Sequence, residues 1–156
     1  MTNNQTERMY PVRPLAAVGA VIWDGRRVLL ERRGQPPGQG RWALPGGLIE
    51  LGETAAAALR REVGEECGIE IEVGPLLGLY EPIQRDADGR VRYHYTILDF
   101  LAYYRGGELR PGDDAAEVRW VEPDDLTAYE LSPATAEMIG RALAYLQQTG
   151  NAHDDG

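Results

Sequence analysis

The sequence contains no lysine, so all sixteen of its basic residues are arginine. Acidic residues outnumber them, and the formal net charge is -9. A general nucleic-acid binder needs a basic surface that displaces counterions from phosphates, so this balance argues against that class. Any phosphate of a small substrate must therefore be held by arginine, backbone N–H groups or a bound cation.

Only one cysteine is present, Cys67, so the chain cannot form an internal disulfide, and we expect a reducing, cytoplasmic compartment. No apolar run approaches the ~20 residues of a membrane-spanning helix, and the N-terminal segment MTNNQTERMYPVRP lacks the apolar core of a signal peptide. We therefore expect no membrane partner. A chain of 156 residues fits one domain. We place that domain at 14–149, between flexible tails at 1–13 and 150–156.

Hydrophobic patterning predicts strands at 15–23, 27–33, 69–82, 91–104 and 116–121. The Gly- and Pro-rich segment GQPPGQGRWALPGG is predicted to be a loop with a short strand at RWAL. One helix is expected from about Thr54 to Cys67, with Thr54 as N-cap and Gly68 as the stop. A short helix follows at EPDDL, and a longer one begins after Ser132 with Pro133 in its first turn. The order indicates a mixed α and β class.

The first predicted helix carries three carboxylates near its C-terminal end. At 100° per residue, the stripe that faces the core contains Ala56, Leu59, Val63 and Cys67. Glu62, Glu65 and Glu66 fall in a sector of about 100° beside that stripe, at the edge of the buried face. Like charges at these spacings repel, and the helix dipole disfavours anions at this end by about 0.3–1 kcal/mol each.

A divalent cation would offset both penalties. Carboxylate oxygens are hard ligands that suit Mg²⁺, with Mn²⁺ as a substitute. The alternative is a solvated acidic face whose charge is balanced by Arg60 and Arg61.

A wider pattern surrounds these glutamates. Its nine fixed positions span 23 residues, and they are Gly47, Glu53, Arg61, Glu62, Val63, Glu65, Glu66, Gly68 and Ile69. They match every fixed position of the Nudix box, so the chain resembles the Nudix hydrolases. The segments RWALPGG and EVRWV extend the resemblance over most of the domain. It implies an α/β fold, the Nudix-type α/β/α sandwich with a central mixed β-sheet.

In Nudix hydrolases the box holds divalent cations on the diphosphate of the substrate. The implied metal ligands are Glu62, Glu65 and Glu66, together with a backbone carbonyl of Gly46 or Gly47. The resemblance also implies that Arg61 pairs with Glu53 and orients these ligands. A general base is still required, and in this family it is a box glutamate or an acid on a later loop. The segment PGDDAAE offers Asp113, Asp114 and Glu117, of which we rank Glu117 first.

The candidate substrate contacts are Arg33, Tyr80, Pro82, Tyr93 and Tyr95. Pro82 stands fourteen residues after Gly68, where a proline recurs in the branch of the family that hydrolyses ADP-ribose. Proline removes a ladder donor, so we expect the chain to turn away from the sheet and leave room over the metal. The tyrosines would stack on a base and Arg33 would reach a phosphate. Core packing of the aromatics and a solvated arginine are the alternatives.

These observations predict metal-dependent hydrolysis of the diphosphate linkage in a nucleoside diphosphate derivative, with ADP-ribose as the first candidate. A nucleoside triphosphate pyrophosphatase that removes damaged nucleotides is the main alternative. An inactive nucleotide-sensing module is the alternative from another class, and the complete set of box glutamates argues against it. The expected partners are a small nucleotide and Mg²⁺. The sequence is compatible with a homodimer and leaves the oligomeric state open.

Overall fold

A computed structural model describes residues 8–150. In chain order its elements are β1 (Leu15–Trp23), β2 (Val28–Arg33), β3 (Trp42–Ala43), β4 (Gly46–Leu48), α1 (Ala55–Cys67), β5 (Ile69–Tyr80), β6 (Ile83–Arg85), β7 (Val91–Gly107), β8 (Ala115–Val121), a 3₁₀-helix (Pro123–Tyr129) and α2 (Pro133–Gln148). The predicted strands and helices are confirmed. The sequence did not predict β4 or β6, because strands this short form by pairing with a neighbour and not by residue propensity.

A mixed sheet runs through the molecule in the order β3-β2-β1-β7-β5. β1 and β7 are parallel, and the remaining strand pairs are antiparallel. β1 and β2 pair only beside their hairpin, where Trp23 faces Val28. Farther along, β4 pairs with β1 and β8 pairs with β2. β1 and β2 therefore diverge after their hairpin. β4 pairs with β1 in the place that β2 leaves, next to α1.

The two helices cover opposite faces of this sheet. On one face α1 packs against alternate residues of β1 and β2, among them Val18, Ala20, Ile22 and Leu29. On the other face α2 packs against Val21, Val28, Leu30 and Leu101. This arrangement confirms the predicted α/β/α sandwich. Within residues 8–150 no helix is both long and apolar enough to cross a membrane.

Local hydrogen bonds fix both ends of α1, as the sequence predicted. The Thr54 hydroxyl accepts a hydrogen bond from the N–H of Ala57 at 3.1 Å. Gly68 ends the helix in the left-handed region, with φ of 75°, and donates to the Gly64 carbonyl. The buried stripe differs from the prediction in one position, because Ala58 is fully buried and Ala56 is only half-buried.

The predicted tails lie partly outside the described residues, which leave out 1–7 and 151–156. The boundary at residue 13 is wrong, because Tyr10 is held against the β6–β7 hairpin. Its N–H donates to the Arg92 carbonyl at 2.7 Å, its hydroxyl donates to Asp86 at 2.8 Å, and the Arg90 guanidinium lies over its ring. Residues 8–13 therefore belong to the folded unit.

Two glycines provide a test of this packing. A Cβ at Gly46 would collide with the Val18 carbonyl of β1, whereas a Cβ at Gly64, on the exposed side of α1, would meet nothing within 4 Å. We expect Gly46→Ala to lower the free energy of unfolding by about 2 kcal/mol or more. Gly64→Ala should raise it by about 0.5–1 kcal/mol through helix propensity. Urea unfolding measures both, and equal effects of the two variants would contradict the packing.

Candidate active site

Arg61 is the centre of the hydrogen-bond network in the box. Its Nε and Nη2 donate to the two carboxylate oxygens of Glu53 at 2.7 and 2.9 Å, and Nη2 also donates to the Leu48 carbonyl at 3.0 Å. Its Nη1 donates to Glu62 at 2.7 Å and to Glu65 at 3.3 Å. The hydrogen bonds from Arg61 lower the pKa of Glu53 to about 2. The expected pairing of Arg61 with Glu53 is present, and its role in orienting metal ligands stays a prediction.

The three glutamates near the end of α1 occupy different environments. Glu65 is exposed, Glu62 is half-buried and Glu66 is buried, with 8% of its surface exposed. The sequence placed all three at the edge of the buried face, but Glu66 lies within it. Oε2 of Glu66 is buried and has no hydrogen-bond partner in the described part of the chain.

Acids from two other elements approach Glu66. Glu31 on β2 is 5% exposed, and its Oε1 is buried without a hydrogen-bond partner among residues 8–150. Burial and the nearby Glu66 charge raise the pKa of Glu31 to about 8. Burial and the charge of Asp114, in the β7–β8 loop, raise the pKa of Glu66 to about 7. Burial and neighbouring negative charges therefore make ionisation of Glu31 and of Glu66 less favourable.

The sequence analysis missed Glu31, although a signal for it was present. Glu31 follows Leu29 at a spacing of two in the strand VLLERR, so it lies on the face that is buried under α1. A carboxylate on the apolar face of a buried strand is costly unless it is compensated. That position alone marked Glu31 as a candidate functional residue.

The residues fit a divalent cation. Within residues 8–150, no three acidic side chains already converge as a set of metal ligands, and Arg61 holds both Glu62 and Glu65. The buried, unpartnered oxygens of Glu31 and Glu66 are nevertheless hard donors whose mutual repulsion a cation would relieve. The donor set therefore suits a hard divalent cation.

The pairing of β4 distinguishes the two candidate carbonyls. The Ala20 N–H donates to the Pro45 carbonyl and the Ile49 N–H donates to the Ala16 carbonyl. In the alternating antiparallel pattern, the carbonyl of Gly47 then faces β1, whereas the carbonyl of Gly46 points away from it. Gly46 therefore has the backbone carbonyl that the sheet leaves available. At Gly47, a Cβ would collide with the Glu62 carboxylate, so glycine is needed for their close approach.

Glu117, which the sequence ranked first as general base, is wrongly placed for that role. It lies on β8 opposite Arg32, and its carboxylate contacts the guanidinium groups of Arg32 and Arg119. Arg119 in turn lies over the ring of Trp42, which packs on the face covered by α2. Because side chains alternate along a strand, Glu117 is directed away from the box helix. Of the alternatives, Asp114 is the acid whose charge acts on Glu66 and Glu31.

All five candidate substrate residues line one cavity of about 660 Å³, and they are Arg33, Tyr80, Pro82, Tyr93 and Tyr95. Gly46, Gly47 and Leu48 of β4 line it as well, so the cavity adjoins the box. Tyr93 and Tyr95 are only 4% and 7% exposed, whereas Tyr80 is 39% exposed. Tyr80 is therefore the tyrosine with the most free surface for stacking. Burial lowers the pKa of Arg33, whose Nε donates to the Pro37 carbonyl at 2.6 Å.

The expectation that the chain leaves the sheet at Pro82 is wrong. β5 ends at Tyr80, but β6 starts at Ile83 and pairs with β7, and the Pro82 carbonyl accepts a hydrogen bond from Tyr95 at 3.1 Å. Proline removes only its own N–H, so its carbonyl can still join the neighbouring strand. Pro82 therefore forms part of the cavity wall.

Comparison with known proteins places this geometry in a family. The family model of the NUDIX domain matches residues 13–142, which is well over half of the chain. The chain is a Nudix hydrolase. A relative named ADP-ribose pyrophosphatase, from Methanocaldococcus jannaschii, is 40% identical over 119 residues, which cover 76% of this chain and 68% of that protein.

Two further matches support the assignment. The nucleoside triphosphatase NudI of Escherichia coli O17:K52:H18 is 36% identical over 117 residues, covering 71% of this chain and 81% of that protein. The crystal structure of a MutT NUDIX hydrolase from Burkholderia pseudomallei superposes with a TM-score of 0.71 at 33% identity, covering 83% of this chain and 98% of that one. The Nudix box of this chain therefore lies within the fold of the Nudix family.

Replacing Arg61 tests whether it orients the box glutamates. A lysine cannot reproduce the bidentate bond to Glu53 together with the bond to Glu62. We expect Arg61→Lys to lower kcat by about 10–100-fold while circular dichroism stays unchanged. Arg60→Lys, one residue earlier on the exposed face of α1, is the matched control and should keep full activity. Equal activities of the two variants would assign Arg61 to the surface.

The acidic cluster predicts how stability depends on pH and metal. The folded pKa values of Glu31 and Glu66 stand above the value of about 4.3 in an unfolded chain. Without metal, the stability that these two groups contribute is therefore greatest below about pH 4.3, falls as pH rises toward about 7 and 8 by at most about 1.4 kcal/mol per pH unit for each group, and levels off above those values. Melting curves in EDTA should shift down between pH 5 and 8.

Millimolar Mg²⁺ should reverse this loss, because a cation bound only to the folded state stabilises it by mass action. The difference between melting temperatures with Mg²⁺ and with EDTA should therefore widen as pH rises. Glu31→Gln should flatten the EDTA profile, whereas Glu70→Gln, exposed on β5, should leave it unchanged. A profile that does not respond to metal would favour the solvated-face alternative.

Proposed function

We propose that this Nudix hydrolase cleaves the diphosphate linkage of a nucleoside diphosphate derivative with a divalent metal, and that ADP-ribose is its preferred substrate. The observation that carries the proposal is the continuity between the acidic cluster and the adjoining cavity through β4. A diphosphate held at the box would then have its nucleoside or sugar in that cavity. The ADP-ribose pyrophosphatase among the relatives supports the choice of substrate.

Glu62, Glu65 and Glu66 would hold the metal, with the carbonyl of Gly46 as the backbone ligand. When bound there, Mg²⁺ neutralises the diphosphate and lowers the pKa of a water molecule. Arg61 keeps Glu62 and Glu65 beside each other, and its two hydrogen bonds to Glu53 fix its own position.

We assign the acceptance of the water proton to Glu31. A base must reach the reacting water with an oxygen that no other donor occupies. Glu31 has such an oxygen, buried and in the same cluster as Glu66. A cation beside it would lower its pKa and keep it ionised. Glu117 lacks both features, because two arginines hold it on the other face of the sheet.

The cavity supplies contacts for the rest of the nucleotide. Arg33 offers a guanidinium to a phosphate, and Tyr80 offers a partly exposed ring to a base or sugar. Both lie on walls shared with Gly46 and Gly47, beside the box.

A nucleoside triphosphate is the second candidate substrate. Two observations favour it, the similarity to the nucleoside triphosphatase NudI and the presence of Arg41 beside Arg33 in the cavity lining. A second arginine would help to neutralise an additional phosphate.

Steady-state hydrolysis of ADP-ribose and of the four dNTPs at equal Mg²⁺ tests the proposal, with products separated by chromatography. We expect ADP-ribose to give the highest kcat/KM, with AMP and ribose 5-phosphate as products. Glu66→Gln should lower kcat by ~10²-fold, which corresponds to about 3 kcal/mol, and Glu70→Gln should not. A dNTP preferred by tenfold or more would replace ADP-ribose with the second candidate.

A further inference from the structure

Asp99 is a buried carboxylate that the hydrolytic site does not use. It lies on β7, its surface is 5% exposed, and it lines the cavity described above. No side chain or backbone group among residues 8–150 forms a hydrogen bond or ion pair with it. Burial alone raises its pKa to about 6. Its oxygens are not fully enclosed and Asp99 lines the cavity, so this carboxylate, mostly buried and without a protein partner, faces space that a ligand can enter.

The neighbouring strands leave Asp99 uncovered toward the cavity. Its register partner on β1 is Gly19, and its partner on β5 is Gly78. Cross-strand neighbours normally cover each other on the same face of a sheet, and glycine provides no side chain to do so. A Cβ at Gly19 would in fact collide with Oδ1 of Asp99. The Asp99 carboxylate therefore occupies the space over Gly19, whereas the space over Gly78 is filled by Met138 and Arg141 of α2.

The N-terminus of α2 lines the same cavity with Ser132, Ala134 and Thr135. The Ser132 hydroxyl accepts a hydrogen bond from the Thr135 N–H at 3.2 Å, which occupies it as the N-cap. The N–H of Ala134 lies in the first turn and has no partner within the helix. The cavity is therefore lined by a charged acceptor, Asp99, and by the first turn of a helix in which the Ala134 N–H has no intrahelical partner.

We propose that Asp99 recognises the nucleobase of the substrate, by accepting a hydrogen bond from an exocyclic amino group. Adenine and cytosine both carry such an amino group next to a ring nitrogen that accepts, which matches an acceptor and a donor in one cavity. An ionised carboxylate only accepts, so a carbonyl oxygen at the same position of the base would be repelled. The inference rests on the proposed function, because it requires a nucleotide as the ligand. It adds the residue that recognises the base and the class of base that is recognised.

Binding of nucleoside monophosphates tests this role without turnover, because they contain no phosphoanhydride bond. AMP and IMP differ by an amino group against a carbonyl, and CMP and UMP differ in the same way. Calorimetric titration should show the amino member of at least one pair binding about tenfold or more tightly to the parent protein. In Asp99→Asn, whose amide can also donate to a carbonyl, this preference should fall to about twofold or invert.

Asp99→Leu provides a second variant of similar size, and it should lose the preference without gaining affinity for IMP or UMP. Asp124→Asn, which changes the same charge on the exposed 3₁₀-helix, should keep the preference of the parent protein. Melting curves report whether each variant is folded. The inference would be overturned if both members of every pair bind equally or not at all. It would also be overturned if the preference survives in both Asp99 variants.

The outcome of this binding test can be distinguished from the outcome of the hydrolysis test of the proposed function. Hydrolysis of ADP-ribose combined with equal binding of AMP and IMP, and of CMP and UMP, would reject the role of Asp99 and keep the activity. An Asp99-dependent preference without hydrolysis of ADP-ribose would keep the role of Asp99 and reject that substrate.

Discussion

The crowding of carboxylates against a buried surface is the constraint on which the site depends. Glu31 and Glu66 each have an oxygen without a partner, and burial and neighbouring negative charges raise the pKa of both. Arg61 cannot relieve this pair, because its donors are occupied by Glu53, Glu62, Glu65 and the Leu48 carbonyl. The fold therefore holds anionic ligands together at a cost that a proton or a cation can remove.

The geometry of the sheet brings these acids together. β1 and β2 diverge after their hairpin, which lets β4 pair with β1 and place Gly47 against Glu62. The loop between β7 and β8 closes over the C-terminal end of α1, where the Gly112 N–H donates to the Glu66 carbonyl at 2.8 Å. That hydrogen bond holds the loop so that Asp114 lies near Glu31 and Glu66. Acidic residues from a strand, a helix and a loop are thus brought together by backbone contacts.

The same strands separate two kinds of chemistry. The acidic cluster of Glu31 and Glu66 lies on the face of the sheet that α1 covers, and the cavity extends along the other face toward α2. Gly46 and Gly47 form the boundary, because only a strand without side chains lets a diphosphate at the box be continuous with a base in the cavity. Asp99 and Gly19 lie farther into that cavity. The functions proposed for the box and for Asp99 therefore depend on different residues.

The sequence by itself determined the family, the order of the elements, the caps of α1 and the glutamates of the box, because these depend on local spacing and on a motif. It also identified residues that line the cavity. From the sequence alone, Glu31 and Asp99 could not be identified as neighbours of the site. Nor could the sequence show that Glu117 points away from it. Those outcomes depend on strand register and on which face a side chain occupies, and a shift of one residue reverses the face. Only the tertiary structure decides that register, since distant strands pair to set it.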